Sequence, residues 1–303
     1  IFNHPFTYES DEKLNIGTYV KVPFGKKDLT GVVWNTFEKK VQKKFKLKKI
    51  KSVISIDPLK IETIKFLNWF SSYNLVPVGM CLKLHLLSGD AIPKLDDKEY
   101  QIFNQKKITQ NFDLSGAQEK VFREMLKKNN EFRVHLLQGT TGSGKTIVYF
   151  KQIEEILKKG RQALILLPEI GLTAEFEKKF VEFFGFRAAI WHSGITPKTK
   201  KIVWSGVSSG NVKVVIGARS SLFLPFKNIG LIIVDEEHDQ SFKQDEGIIY
   251  NARDMAISRA NFENIPINLV TSVPSIETYA NIKKKKYSIS RLIKRYKNAN
   301  LPS

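Results

Sequence analysis

Two short stretches carry residues whose types and spacing could do chemistry. The first, Gly139-Thr140-Thr141-Gly142-Ser143-Gly144-Lys145-Thr146, fits the phosphate-loop template G-x-x-x-x-G-K-[ST] at every position. Its glycines let backbone N–H groups turn inward on phosphate oxygens, Lys145 can reach the β- and γ-phosphates, and Thr146 offers a hydroxyl to Mg²⁺. This run is the candidate ATP site. The second stretch, Leu231-Ile232-Ile233-Val234-Asp235-Glu236-Glu237-His238, passes from apolar residues straight into acids. At the carboxyl end of a strand, where open α/β sheets hold their ligands, Asp235 would hold Mg²⁺ directly or through water. Glu236 would orient an attacking water and take its proton. His238 reads either as a relay between the γ-phosphate end and a bound strand or as a polar residue steadying its loop.

Such residues work only if regular elements place them. Phe132-Arg133-Val134-His135-Leu136-Leu137 precedes the glycine run like a buried strand, and Ile147 to Lys159 follows with helical spacing of Ile147, Phe150, Ile153, Ile156 and Leu157. Further apolar runs at Ala163 to Leu167, Ala188 to Trp191, Val212 to Ile216, Leu231 to Val234 and Ile267 to Thr271 are apolar throughout. Strands of that kind belong in a parallel sheet covered on both faces. The predicted fold class is α/β, a RecA-like P-loop lobe over residues 113–287, with a polar linker at 89–112, a small β-rich domain at 1–88 and a tail at 288–303. In the first domain Thr18 to Phe24, a turn at Gly25 to Asp28 and Leu29 to Trp34 read as a hairpin, and Ile61 to Tyr73 reads as a helix with Ile61, Ile64, Leu67, Trp69 and Phe70 on its apolar side.

The length of 303 residues suits two domains, each with its own core. Forty-nine Lys and Arg against thirty Asp and Glu leave a net charge of +19, which favours a polyanionic partner, although a lysine-rich proteome produces the same balance. The lysines between Lys39 and Lys51 read as a solvated loop or as part of a nucleic-acid contact. The single cysteine, Cys81, allows neither an internal disulfide nor a Cys-rich zinc cluster within this sequence. No apolar run approaches the ~20 residues of a membrane span, and Ile1 to Pro5 lacks a basic region followed by an apolar core. The expected location is cytoplasmic, nucleoid-associated if the chain handles nucleic acid, with no membrane partner.

The surroundings of the acidic box narrow the reading. Asp-Glu-x-His after a strand is the superfamily 2 helicase form, and Asp235 to Gln244 continuing to Tyr250-Asn251-Ala252-Arg253-Asp254-Met255-Ala256 resembles the PriA family of replication-restart helicases. Leu167 to Thr173, His192-Ser193-Gly194, Ile216 to Ser221 and Pro274 to Thr278 are similar to that family's other motifs, in the same order. Pro5 to Tyr8 and Val22 to Lys26 are similar to its N-terminal domain, which recognises the 3′ end of the nascent leading strand at a fork. The resemblance implies that Gln118 contacts adenine, and that Gly171, Thr173, Arg219 and Ser220 contact a single strand. It implies an aromatic-rich loop of Phe242, Lys243, Gln244, Tyr250 and Arg253 that stacks bases and couples strand contact to hydrolysis, and a 3′-end pocket around Phe6, Gly25 and Lys51.

The resemblance also implies ATP with Mg²⁺ as cofactor, forked and single-stranded DNA as substrate, and primosome-loading and single-strand-binding proteins as partners. Some features depart from the family. Thr7 stands where an acid is usual, the linker is too short for the family's winged-helix domain, and Val270-Thr271-Ser272-Val273 replaces Gly-Ser-Ala-Thr. The family's zinc-binding cysteines, second lobe with its arginine fingers and C-terminal domain would follow Ser303. Two expectations stand side by side: the N-terminal part of a 3′→5′ helicase, or a truncated DNA- and ATP-binding remnant without strand separation.

Overall fold

A computed structural model describes residues 3–37, 47–87, 97–104, 112–127 and 130–293. Most of the lysine cluster and of the linker, and the tail beyond residue 293, lie outside those residues.

The predicted hairpin forms from β1 (Tyr19–Phe24) and β2 (Lys27–Val32), paired antiparallel across a turn whose Gly25 has φ +59°. A two-residue β3 (Ser52–Val53) joins the other side of β1. Helix α1 (Ile61–Tyr73) has the predicted bounds and is followed by α2 (Val78–His85) and the short α3 (Gln101–Asn104). The buried face of α1 is built from Ile64, Phe66, Leu67 and Phe70, while Ile61, expected on it, is exposed. A stripe at i, i+3 and i+6 centred on Leu67 leaves the first residue of the helix on its outer side.

From α4 (Gly116–Leu126) onward, strands and helices alternate: β4 (Arg133–Gly139), α5 (Lys145–Lys158), β5 (Gln162–Leu166), α6 (Ala174–Phe184), β6 (Ala189–Trp191), α7 (Pro197–Ser209), β7 (Val214–Gly217) and β8 (Ile229–Asp235). A small antiparallel pair, β9 (Lys243–Gln244) with β10 (Tyr250–Asn251), leads into α8 (Ala252–Phe262), β11 (Pro266–Thr271), α9 (Ile276–Lys283) and β12 (Ser288–Leu292). Seven strands form one parallel sheet in the order β12-β4-β11-β8-β5-β7-β6. Residues 288–292, expected in a tail, are thus the sheet's edge strand beside β4, with Leu292 buried. Their polar alternation suits an edge, where only one side chain in two needs cover.

The apolar runs fill both faces because successive side chains alternate. Leu136, Leu164, Val234 and Leu269 join one cluster, and Leu137, Ile165, Ile233 and Val270 join the other beneath α4, α5 and α6. The first cluster continues without a break into the N-terminal residues: Phe66 and Phe70 lie 6.0 and 5.1 Å, centroid to centroid, from Phe223, and Phe70 lies 5.4 Å from Tyr250. Two separate cores were expected. Instead α1 is too short and too apolar to cover itself against a three-stranded sheet, and it closes one face of the large sheet.

Candidate nucleotide and strand site

The carboxyl ends of β4 and β8, on either side of β11, bring the two chemical stretches together. Beyond β4 the loop turns on Gly142 and Gly144, at φ +78° and +79°, a region that side chains rarely adopt, and Gly144 opens α5. A Cβ on Gly139 would lie 2.6 Å from Ser143 Oγ and 3.1 Å from both Leu292 and Lys145, so any larger residue would push the Ser143 hydroxyl and crowd Lys145. Thr140 and Thr141 are exposed at the loop's mouth, and Thr146 is half-buried in the first turn of α5. Lys145 Nζ donates to the carbonyls of Gly139 at 2.8 Å and Thr140 at 3.4 Å. Ser143 Oγ is buried without a hydrogen-bond partner. A helix N-terminus, an ammonium and a spare hydroxyl suit a phosphate.

Across the mouth, Asp235 is buried at the end of β8. Its Oδ2 accepts from the Tyr149 hydroxyl at 2.8 Å and its Oδ1 from the Glu236 N–H at 3.0 Å. Burial pushes its carboxyl up to about 6, with the bond from Tyr149 working against that rise. A cation beside it would restore the ionised form, so the residues present fit a Mg²⁺ held by one carboxylate, the Thr146 hydroxyl and substrate phosphates. Among the described residues no His, Cys, Asp and Glu cluster could hold a metal without such help. Glu236, half-buried, has φ +49°. His238 Nδ1 is 2.7 Å from Thr271 Oγ1 and 3.6 Å from Glu236 Oε2, so the threonine in the serine place of the altered Thr271-Ser272-Val273 segment keeps a hydroxyl contact to the acidic box.

Gln118 requires a correction. Its side chain is 2% exposed, its Oε1 accepts from the Ser115 N–H at 2.9 Å and its Nε2 donates to the Ser143 carbonyl at 3.1 Å. It completes a capping box on α4 and fastens that helix to the phosphate loop, so its amide is not open to an adenine edge.

The residues expected to contact a strand divide. Gly171 and Thr173 follow β5 on the same edge of the sheet, Thr173 being exposed and capping α6 through Phe176 N–H. Arg219 Nη1 donates to the Lys243 carbonyl at 2.8 Å, tying the turn after β7 to β9, and Ser220 is exposed beside Trp191. Lys243 is exposed, paired at 3.2 Å with Asp245, and Gln244 donates to the Glu246 carbonyl. Phe242 and Tyr250, however, are 1% and 4% exposed and belong to the core, so no base can stack on them. Arg253 is buried as well, its guanidinium engaged by Asp254, Glu237 and Ser275. Motif spacing cannot distinguish an aromatic that faces solvent from one that faces α1.

At the far end of the β1–β2 hairpin, Phe6 packs edge-on against Phe24 at 5.2 Å, beside Gly25, and Lys51 Nζ reaches Asp28 at 2.7 Å. Phe6 is half-exposed and Thr7 exposed. Sequence reasoning missed Tyr149, which holds Asp235, and Glu237, whose carboxylate lies at the centre of a polar cluster. A tyrosine one residue off the apolar stripe of α5 was a usable signal for the first; nothing in the spacing marked the second.

A P-loop and an acid box on a parallel sheet, with an N-terminal hairpin module attached, define a class, and residues 115–278 match the DEAD/DEAH box helicase family; the chain belongs to it. Residues 2–86 match the 3′ DNA-binding domain of PriA. The chain is 43% identical over its whole length to the replication restart protein PriA of Rickettsia conorii, covering 46% of that protein. It is 40% identical over 65% of its length to the protein of the same name from Bacillus subtilis, covering 25% of it. A solved structure of RecG bound to a three-way DNA junction aligns over 76% of this chain and 29% of its own, at 22% identity and a TM-score of 0.45. The chain therefore spans less than half the length of these relatives.

Proposed function

We propose that this chain is the ATP-binding lobe and 3′-end-binding module of a PriA-type replication-restart helicase, which moves 3′→5′ on forked DNA and prepares it for primosome-loading proteins. The observation that carries the reading is the Asp235 carboxyl, buried, held by Tyr149 and facing the phosphate loop across one sheet edge. The loop N–H groups and Lys145 bind and orient the triphosphate. Thr146 and Asp235 would hold Mg²⁺, which neutralises charge on the phosphates when bound. Glu236 takes the proton of an attacking water. Gly171, Thr173, Arg219, Ser220 and Lys243 line a path for a single-strand backbone, where hydroxyls, N–H groups and cations serve binding without reading bases. Phe6, Gly25 and Lys51 receive a 3′-terminal nucleotide, and Thr7, a weaker acceptor than a carboxylate, relaxes the demand for a free 3′-hydroxyl.

A second reading, binding with little turnover by this chain alone, is favoured by apolar side chains on the site's own edge. Ile170, Val273, Ile276 and Ile293 are each more than three-fifths exposed there. Phosphoryl transfer that lacks an arginine supplied from a facing surface loses ~10³ to 10⁵ in rate. ATP hydrolysis by the 303-residue chain, with and without forked DNA bearing a free 3′ end, decides between them. DNA-stimulated turnover abolished by Lys145→Ala supports the enzyme; turnover at the level of that variant, with DNA binding intact, supports the second reading.

A further inference from the structure

Glu237, the variable position of the acidic box, is a buried carboxylate whose two oxygens accept four hydrogen bonds. Its Oε1 accepts from the Ser275 N–H at 2.8 Å; its Oε2 accepts from Ser275 Oγ at 3.0 Å, Thr278 Oγ1 at 2.9 Å and Arg253 Nη1 at 3.2 Å. Its own N–H donates to the Val270 carbonyl at the end of β11. One side chain thereby joins the end of β8, the start of α8 and the start of α9.

Each joined element leads to a different part of the site. Arg253 lies two residues past β10, in the segment whose partner β9 is held by Arg219. Ser275 follows the loop in which Thr271 meets His238. Glu237 itself follows Glu236, whose φ of +49° persists only where surrounding structure over-determines it. We infer that Glu237 is a positioning residue that couples the strand-contacting β9–β10 segment and the β11–α9 loop to the Asp235–Glu236 turn. It touches neither nucleotide nor strand. Movement of Arg253 with the β9–β10 segment is passed to Ser275 and to the turn carrying the catalytic acids, because a buried carboxylate cannot give up one of these partners without replacement.

The inference rests on the functional reading above, and equilibrium binding to the 303-residue chain tests both without relying on turnover. The affinity for a fluorescent single-stranded oligonucleotide is measured with and without Mg²⁺ and a non-hydrolysable ATP analogue, and the ratio of the two is the coupling between sites. In the wild type the ratio differs from one by about fivefold or more. Glu237→Gln preserves shape and can still accept from the Ser275 N–H, but turns an amide toward Arg253, which has no acceptor. It brings the ratio to about one while each separate affinity stays within about threefold, and Thr278→Val, which removes one of the four bonds, gives an intermediate ratio.

A ratio unchanged in Glu237→Gln overturns the inference, as does a ratio lost only in step with a fall in Tm and in both affinities, the mark of a structural role alone. A wild-type ratio of one, with both ligands bound, overturns the coupling but leaves the ATP- and DNA-binding reading standing. A wild type that binds neither ligand overturns both.

Discussion

The acids of the site are set by burial as much as by residue type. Asp235 is pushed up to about 6 because it is buried, and the Tyr149 hydroxyl moderates that rise by bonding to the charged form. Tyr149→Phe should therefore move the acidic limb of Mg²⁺-dependent nucleotide binding to higher pH by about one to two units, since a bond to a charged group contributes ~1.5 to 3 kcal/mol. A pH titration of fluorescent nucleotide affinity checks this; an unmoved limb would show that Asp235 does not govern metal-assisted binding. At Gly139 the constraint is steric: Gly139→Ala places a methyl against Ser143, Leu292 and Lys145, and nucleotide affinity should fall at least tenfold while the far-UV circular dichroism spectrum is kept.

Elements meet at buried histidines. The Tyr19 hydroxyl lies 2.7 Å from His85 Nε2, and His85 Nδ1 lies 2.8 Å from the Phe223 carbonyl. A carbonyl only accepts, so Nδ1 carries the proton and Nε2 accepts from Tyr19, which links β1 through α2 to the segment after Arg219 and Ser220. Burial pushes His85 down to about 4 and His135 down to about 3, both below their ordinary 6.5. Between those values and 6.5 the unfolded chain binds protons that the folded chain refuses. The histidines' contribution is therefore whole above pH 6.5 and is lost as pH falls toward 4 and 3. Asp235 acts in the opposite sense: the folded chain keeps its proton between its ordinary 3.8 and about 6, a contribution lost as pH rises through that range.

Replacing His85 by Gln should flatten the fall of stability between pH 6.5 and 4 by ~1.4 kcal/mol per pH unit, read from urea unfolding at a series of pH values. A fall as steep as the wild type's would mean that His85 titrates normally in the folded chain. At the sheet's other end, Leu292→Ala removes a buried side chain of β12 from beside Gly139. It should cost ~2 to 4 kcal/mol in the same unfolding measurement and weaken nucleotide binding as well.

At the scale of the molecule, the N-terminal module and the sheet share one apolar cluster. Lys60 Nζ and Thr63 Oγ1 both donate to Glu263 at the end of α8, and the buried Arg259 guanidinium donates to the carbonyls of Leu222 and Leu224. One cooperative unit should follow: calorimetry should show a single transition, and Phe66→Ala, at the centre of the shared cluster, should lower it as a whole, by ~3 to 5 kcal/mol. Two transitions, with only the smaller one moved, would show that the module melts independently.

The sequence by itself determined the phosphate loop, the acid box, the order of strands along the chain and the α/β class, because each depends on local spacing: glycines where φ is positive, apolar runs of strand length, acids at a strand's end. It also placed α1 to the residue. It did not reveal that α1 would close the large sheet rather than a core of its own, that Ser288 to Leu292 would pair with β4, or that Gln118 would fasten the loop. Nor did it reveal that Phe242, Tyr250 and Arg253 would point inward while Glu237 gathered four hydrogen bonds. Those outcomes depend on which elements meet, through contacts between residues dozens to hundreds of positions apart, and only the tertiary structure decides them.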